Sequence, residues 1–171
     1  CLTRYHRGLI GNLIEMHPGD ATKIDEIKIT ATDAHHNDPD AIGFRFSFES
    51  GEIVYSADTE YRPEISTQYL NARVLILSVL RPSGSSWTGH LSSDDAIAIL
   101  RETHPEMCVL THFGLRMISA GPDKEAKRIA HETKVQTVAA EDNMRLYMGK
   151  DLRISKPAAP TARCSQETLY T

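Results

Sequence analysis

Three strand-like runs of this chain end in a side chain that can bind a metal ion. His36 lies in the segment DAHHNDPDAIGFRF, Asp58 lies in IVYSADTE, and His112 lies in VLTHFGLRM. Short apolar runs of this kind are typical of strands buried in a sheet, and strand ends hold side chains rigidly. We therefore expect His36, Asp58 and His112 to converge at one edge of a sheet.

The order of the predicted elements indicates the architecture. Apolar alternation and continuous apolar runs come first, and strands then alternate with helices that have apolar faces. This order predicts an α/β, layered (α+β) fold with a mixed sheet and helices on its outer face. The predicted strands are 12–16, 25–33, 41–49, 52–56, 74–80, 107–111, 135–139 and 144–148, and the predicted helices are 94–104 and 123–133.

Length and composition set further bounds. The chain has 171 residues, enough for one domain with a core, which we place at residues 1–155. Residues 156–171 are rich in Pro, Ala, Ser and Thr, and this composition predicts a disordered tail. The net charge of −4 gives no reason to expect nucleic-acid or membrane binding by the whole chain, although local basic residues could hold a phosphate. No apolar run approaches the length of a membrane span, so we expect no membrane partner.

The cysteines indicate a compartment. Cys1, Cys108 and Cys164 form no close pair, and Cys108 lies in an apolar run, so we expect it to be a buried free thiol. An odd count without motif spacing favours a reducing, cytoplasmic location. Because the chain begins with Cys1 and not with Met, we expect it to be a processed or truncated product.

Each candidate residue also has an ordinary structural explanation. His35 and His36 precede the turn-forming sequence NDPD, where a solvated loop histidine is common. Asp58 could be a simple turn residue, and His112 a strand-end residue without a ligand. His90 stands in GHLSS before a predicted helix, where it could contact a phosphate, transfer a proton, or only cap the helix.

The order of these segments is more specific than any one of them. A histidine and turn before GFRF, then SADT, then GHLS before a helix, then LTHF resemble the second half of the metallo-β-lactamase superfamily, closest to the hydrolases related to ribonuclease Z. The resemblance covers residues 12–148. It implies a half or incomplete αββα sandwich, in which each half of the domain contributes one sheet.

The resemblance also implies roles for single residues. His36, with His35 as the fallback, resembles the ligand of a first metal. Asp58 resembles the aspartate that bridges two metals, and His112 resembles the terminal ligand of the second. His90 resembles the catalytic, non-ligand histidine that contacts the scissile phosphate or assists the leaving group. The implied cofactors are two divalent metals, with zinc favoured over manganese or iron because imidazole and carboxylate groups suit zinc.

One motif of the superfamily is missing from this sequence. HxHxDH, which supplies most of the ligands, does not occur in the 171 residues, and Ala57 stands where glycine is common. Three ligands shared by two metals are fewer than zinc sites use, so we expect weak or no metal binding and no activity from this chain alone. A lone half would also expose Ile42, Phe44, Phe46 and Phe48, which predicts a partner: the missing N-terminal half or a second copy.

Three functions remain open at this point. The first is a metal-dependent hydrolase that acts on phosphodiesters, with nucleic acid or a small phosphoester as substrate; lactone or thioester hydrolysis is an alternative chemistry. The second is a non-catalytic, degenerate subunit that keeps the fold as an interaction module, and the missing HxHxDH favours it. The third is a soluble α/β domain in which the histidines are incidental.

Overall fold

The computed structural model describes residues 3–156, so Cys1, Cys164 and nearly all of the predicted disordered tail lie outside the described residues. Helices and strands follow one another along the chain in this order: α1 Arg4–Leu9, β1 Ala21–Ile24, β2 Ile27–Asp33, β3 Ile42–Phe48, β4 Gly51–Tyr55, α2 Pro63–Thr67, β5 Val74–Arg81, β6 Leu91–Ser92, α3 Ser93–Thr103, β7 Met107–Thr111, α4 Leu115–Ala120, α5 Pro122–Thr133, β8 Gln136–Ala139, β9 Arg145–Met148 and β10 Leu152–Ser155.

A mixed sheet organises the described part of the chain. Its order is β1-β2-β3-β4-β5-β7-β8, and β6 pairs with β5 beside this path. Strands β1 to β4 are antiparallel neighbours, and β4, β5, β7 and β8 are parallel. Strands β2, β4, β5 and β7 therefore run in one direction and end at the same edge. The mixed sheet expected from the sequence is confirmed.

The two faces of the sheet are covered differently. Helices α2 to α5 pack on one face, where Leu75, Leu77, Leu100, Leu110 and Ile129 are fully buried. The other face, which we call the inner face, carries Val74, Met107 and Val109, and the β9–β10 hairpin packs against these residues. Helices on one face agree with the layered arrangement predicted from the sequence.

Local sequence explains where the central helix begins. Ser92 is the N-cap of α3: its hydroxyl accepts from the backbone N–H of Asp95, and the Asp95 carboxylate accepts from the N–H of Ser92. This capping box satisfies amide groups that the first helical turn leaves free. Asp94 and Asp95 also place negative charge at the positive end of the helix.

Two of the strand predictions were wrong: one predicted strand is absent, and another begins later than predicted. Residues 12–16 form no strand, because no neighbouring strand pairs with them and nearly all of the segment is exposed. The predicted strand 25–33 begins only at Ile27, since Asp25, with a φ of 51°, turns the chain so that β1 pairs back on β2. Helices α1, α2 and α4 were not predicted; each is five or six residues long, too short for a clear period.

None of the helices in residues 3–156 is long and apolar enough to cross a bilayer. Cys108, on β7, is a buried free thiol, as the sequence predicted, and burial raises its pKa well above the ordinary value.

Candidate metal centre

The C-terminal edge of the sheet brings the predicted ligands together. His36 follows β2, Asp58 follows β4, and His112 directly follows β7. His90 lies on the loop between β5 and β6, directly before β6. Since β2, β4, β5 and β7 share one direction, their ends deliver all four side chains to one place. We call His36, Asp58, His90 and His112 the edge cluster.

Distances within the edge cluster are those of a potential metal site. His36, Asp58 and His90 each offer a ligand atom within 4.8 Å of the others. His112 Nε2 lies 3.3 Å from Asp58 Oδ2. The His90 ring is 4.9 Å from that of His36, edge to face, and 5.7 Å from that of His112, stacked. Imidazole nitrogens and a carboxylate oxygen at this spacing are a donor set that fits a divalent cation such as zinc.

His90 is partly buried. Its Nδ1 is buried and has no hydrogen-bond partner within residues 3–156. Burial lowers the pKa of His90, and the neighbouring His36 and His112 lower it further, while the Asp58 carboxylate acts in the opposite direction. A neutral imidazole can bind a cation or accept a proton. The position therefore suits a ligand as well as the catalytic role that the family resemblance implies for His90.

The histidine doublet is divided between two environments. His36 joins the edge cluster, and the backbone N–H of Asp38 donates to its Nδ1 at 3.3 Å, which orients the ring. His35 is outside the cluster: its Nε2 is 3.9 Å from Asp33 Oδ2, and its backbone N–H donates to Thr59 Oγ1 at 2.9 Å. Of the two positions that the sequence left open, His36 is the one that lies in the edge cluster.

Thr59 and Glu60 connect the loops that carry the cluster, a role that their sequence did not indicate. Thr59 is fully buried and accepts from His35, while the Glu60 N–H donates to the His35 carbonyl at 2.8 Å. The Glu60 carboxylate accepts from the Gly89 N–H at 3.2 Å. Hydrogen bonds from Arg62 and Gly89 lower the pKa of Glu60. Three loops, those of His36, Asp58 and His90, are thereby joined.

Backbone conformation at the edge cluster is unusual at two positions. Ala57 has a φ of 52° and His112 a φ of 61°, both in the left-handed region that residues with a Cβ rarely adopt. Ser56, fully buried, donates to the Ala57 carbonyl at 2.8 Å and accepts from the Ser78 N–H at 3.1 Å, which fixes the turn before Asp58. Non-glycine residues in this region concentrate at functional sites.

Comparisons with known proteins agree with this geometry. The family described as beta-lactamase superfamily domain matches residues 3–113. An uncharacterized protein of Methanocaldococcus jannaschii is 31% identical over 149 residues, which cover 86% of this chain and 55% of that protein. The metallo-beta-lactamase fold protein YhfI of Bacillus subtilis superposes with a TM-score of 0.69 at 21% identity, over 83% of this chain and 55% of its own. Igni18, a metallo hydrolase of Ignicoccus hospitalis, superposes with a TM-score of 0.59 at 18% sequence identity. The superposition covers 85% of this chain and 61% of Igni18.

The fold and the edge cluster define a metallo-β-lactamase-type domain with a potential His/Asp metal site. The match to the family described as beta-lactamase superfamily domain covers more than half of this chain, so the chain belongs to that family. The chain spans about half the length of the relatives that it matches.

Proposed function

We propose that this chain is the C-terminal part of a metal-dependent hydrolase that cleaves phosphodiester bonds. The observation that carries the proposal is the edge cluster, in which four groups from four loops meet at the end of a sheet with ligand-like spacing. The histidine of the GHLS segment favours phosphodiesters over lactones and thioesters, because it resembles the non-ligand histidine with which the phosphodiesterases of the superfamily contact the scissile phosphate or assist the leaving group.

Each residue of the cluster has a proposed task. His36, Asp58 and His112 would hold two divalent cations, zinc before manganese or iron, with Asp58 between them. Such cations, when bound, polarise a phosphoryl oxygen and acidify water. Burial lowers the pKa of His90 and so favours the neutral imidazole, which can accept a hydrogen bond or a proton. Thr59 and Glu60 keep the loops in register.

A calorimetric zinc titration tests the ligand set. We expect weak uptake by this chain, and we expect Asp58→Asn and His112→Ala each to lower the affinity by at least about tenfold, because each removes a ligand from an already sparse set. His131→Ala is the matched control, since His131 is exposed on α5 and remote from the cluster. Equal affinities in all four proteins would refute the proposed site.

His90 requires a separate test, since it could bind metal or act on the substrate. After reconstitution with an HxHxDH-bearing half, and with manganese or zinc present, we expect His90→Gln to lower the hydrolysis of a phosphodiester that has an alkoxide leaving group, while the metal content stays the same. A matching loss of bound metal would make His90 a ligand instead. A faster reaction with a lactone or a thioester than with the phosphodiester would change the proposed substrate class.

The inner face supports a proposed partner. Ile42, Phe44 and Phe46 are only half-buried there, and Phe48 is 36% exposed. We propose that the half of the domain that carries HxHxDH packs its own sheet on this face and completes the metal site. The absence of that motif from these residues favours one other function, a non-catalytic subunit that keeps the fold. Reconstitution with an HxHxDH-bearing half distinguishes the two, because only the hydrolase would gain phosphodiesterase activity.

A further inference from the structure

An exposed tryptophan stands beside the edge cluster. Trp87 is 54% exposed and lies on the loop that leads from β5 to His90. The His90 N–H donates to the Trp87 carbonyl at 3.1 Å, so the two residues belong to one tight turn. An indole has a large apolar surface, and tryptophan is enriched at binding interfaces.

Arg81 fixes one face of this indole. It is the last residue of β5, and its guanidinium carbon lies 4.4 Å from the centre of the Trp87 ring, a cation–π contact. The Nε of Arg81 is buried and has no hydrogen-bond partner within residues 3–156. The guanidinium therefore covers one side of the ring, and the exposed area of Trp87 is on its remaining surface.

The Trp87 loop is seated directly on the metal-binding residues. Gly89 has a φ of 78°, and a Cβ added there would lie 3.4 Å from His36 Cδ2 and 3.4 Å from Asn37 Oδ1. Asn37, Ser86, Trp87 and Thr88 line a shallow groove next to His36. The Trp87 ring is therefore close enough to the edge cluster for one ligand to reach both. A base stacked on Trp87 and a phosphate at the edge cluster could be joined by a linker as short as the sugar of a nucleotide.

We propose that Trp87, held by Arg81, is a stacking platform for the base of a nucleotide phosphoester. This inference rests on the proposed function and narrows its substrate class from phosphodiesters in general to nucleotidyl phosphodiesters. Every nucleobase has a π-face, so one exposed indole can accept any of them without reading sequence. The Arg81 charge also adds attraction for the phosphate in a chain whose net charge is negative.

Trp87 is the only tryptophan of the chain, so its fluorescence reports directly on the platform. Adenosine 5′-monophosphate should quench this fluorescence, whereas ribose 5-phosphate and inorganic phosphate should not. By calorimetry, Trp87→Ala should weaken adenosine 5′-monophosphate binding by about 5- to 150-fold, the range for the loss of one stacked base. Trp87→Phe should recover part of the loss, and inorganic phosphate should bind both variants and the parent chain equally.

Tyr147→Ala is the matched control, because Tyr147 is a similarly exposed aromatic residue on the distant β9 strand. The platform is refuted if adenosine 5′-monophosphate leaves Trp87 fluorescence unchanged, or if Trp87→Ala and Tyr147→Ala bind it equally. Failure of the proposed function has a different signature: base-dependent quenching persists, but the chain takes up no metal and its reconstituted form cleaves no phosphodiester.

Discussion

Ala57 determines the direction in which the chain presents Asp58. Its φ of 52° lies in the left-handed region, although alanine has a Cβ. Glycine adopts this region without steric cost, whereas β-branched residues are strongly disfavoured there. Two hydrogen bonds of the buried Ser56 hydroxyl hold the turn in this conformation. The hydroxyl donates to the Ala57 carbonyl and accepts from the N–H of Ser78 on β5. Glycine would adopt this conformation without the steric cost of a Cβ.

Substitutions at Ala57 should follow this conformational preference. We expect Ala57→Gly to leave the melting temperature and zinc affinity unchanged or slightly raised. We expect Ala57→Val to destabilise the fold by about 1–3 kcal/mol and to weaken zinc binding, because a β-branched residue at positive φ is strained. Thermal melts and zinc titrations of both variants check this. A stable, zinc-binding Ala57→Val protein would show that the left-handed turn is not required.

Thr59 offers a second residue-scale prediction. Replacement by Val keeps its volume but removes the hydroxyl that accepts from the His35 N–H, so a part-buried donor is left without a partner. We expect a loss of about 1–3 kcal/mol in the free energy of unfolding and weaker zinc binding, because the His36 loop is no longer joined to the Asp58 loop. Thr59→Ser, which keeps the hydroxyl, is the control and should behave like the parent chain in chemical denaturation.

The candidate site shows which residues a sequence can reveal. His36, Asp58, His90 and His112 could be chosen because each stands beside a recognisable strand or helix end, and the parallel strand directions then bring them together. Their individual roles remain predictions. Thr59 and Glu60 could not be recognised, since their partners His35 and Gly89 are distant in sequence and only the folded chain shows the hydrogen bonds.

At the scale of elements, the strands and helices with strong periodicity were predictable. The apolar runs of β5 and β7 and the amphipathic patterns of α3 and α5 depend on burial that is encoded locally. Helices α2 and α4 could not be predicted, because each has only one or two buried residues and so shows no helical pattern of apolar positions. The β1–β2 hairpin depends on a positive φ at Asp25, which sequence alone does not dictate.

One contact between elements anchors the loop that carries Trp87 and His90. The Asp94 carboxylate, at the start of α3, accepts from the Ser83 hydroxyl and the Gly84 N–H, both at 2.8 Å. Arg128 of α5 donates to the same carboxylate at 3.0 Å. The hydrogen bond from Gly84 is the main reason that the pKa of Asp94 lies below its ordinary 3.8, although partial burial opposes it.

This anchor predicts a pH dependence of stability. A carboxyl whose pKa is lowered by folding stabilises the protein above its ordinary pKa, and the contribution is lost as the pH falls through the lower, folded value. We therefore expect Asp94→Asn to melt at a lower temperature than the parent chain at neutral pH, and the difference to shrink as the pH falls below about 4. Asp142→Asn, at an exposed turn, is the control and should follow the parent chain at every pH.

At the scale of the whole molecule, the inner face is the side of the described sheet that is covered least on strand β3. Phe44 and Phe46 lie in contact there, with ring centres 6.1 Å apart, and the β9–β10 hairpin covers only the part near Val74, Met107 and Val109. The hairpin thus covers one part of the inner face and leaves strand β3 uncovered. A second sheet packed on β3, as proposed above, would explain this difference. The sequence indicated the face through the alternation of Ile42, Phe44, Phe46 and Phe48.

The inner face gives the last prediction. We expect this chain alone to self-associate with rising concentration in light scattering and to bind a hydrophobic dye, because half-buried aromatic residues remain in contact with water. Phe46→Gln should reduce both effects with little change in melting temperature, whereas Leu115→Gln, at an 83% exposed position on α4, should change neither. An HxHxDH-bearing half supplied as a separate chain should replace the self-association with a one-to-one complex that takes up zinc. A stable homodimer that excludes this half would identify a second copy as the partner, and a monomer that binds neither dye nor partner would show that the face needs no cover.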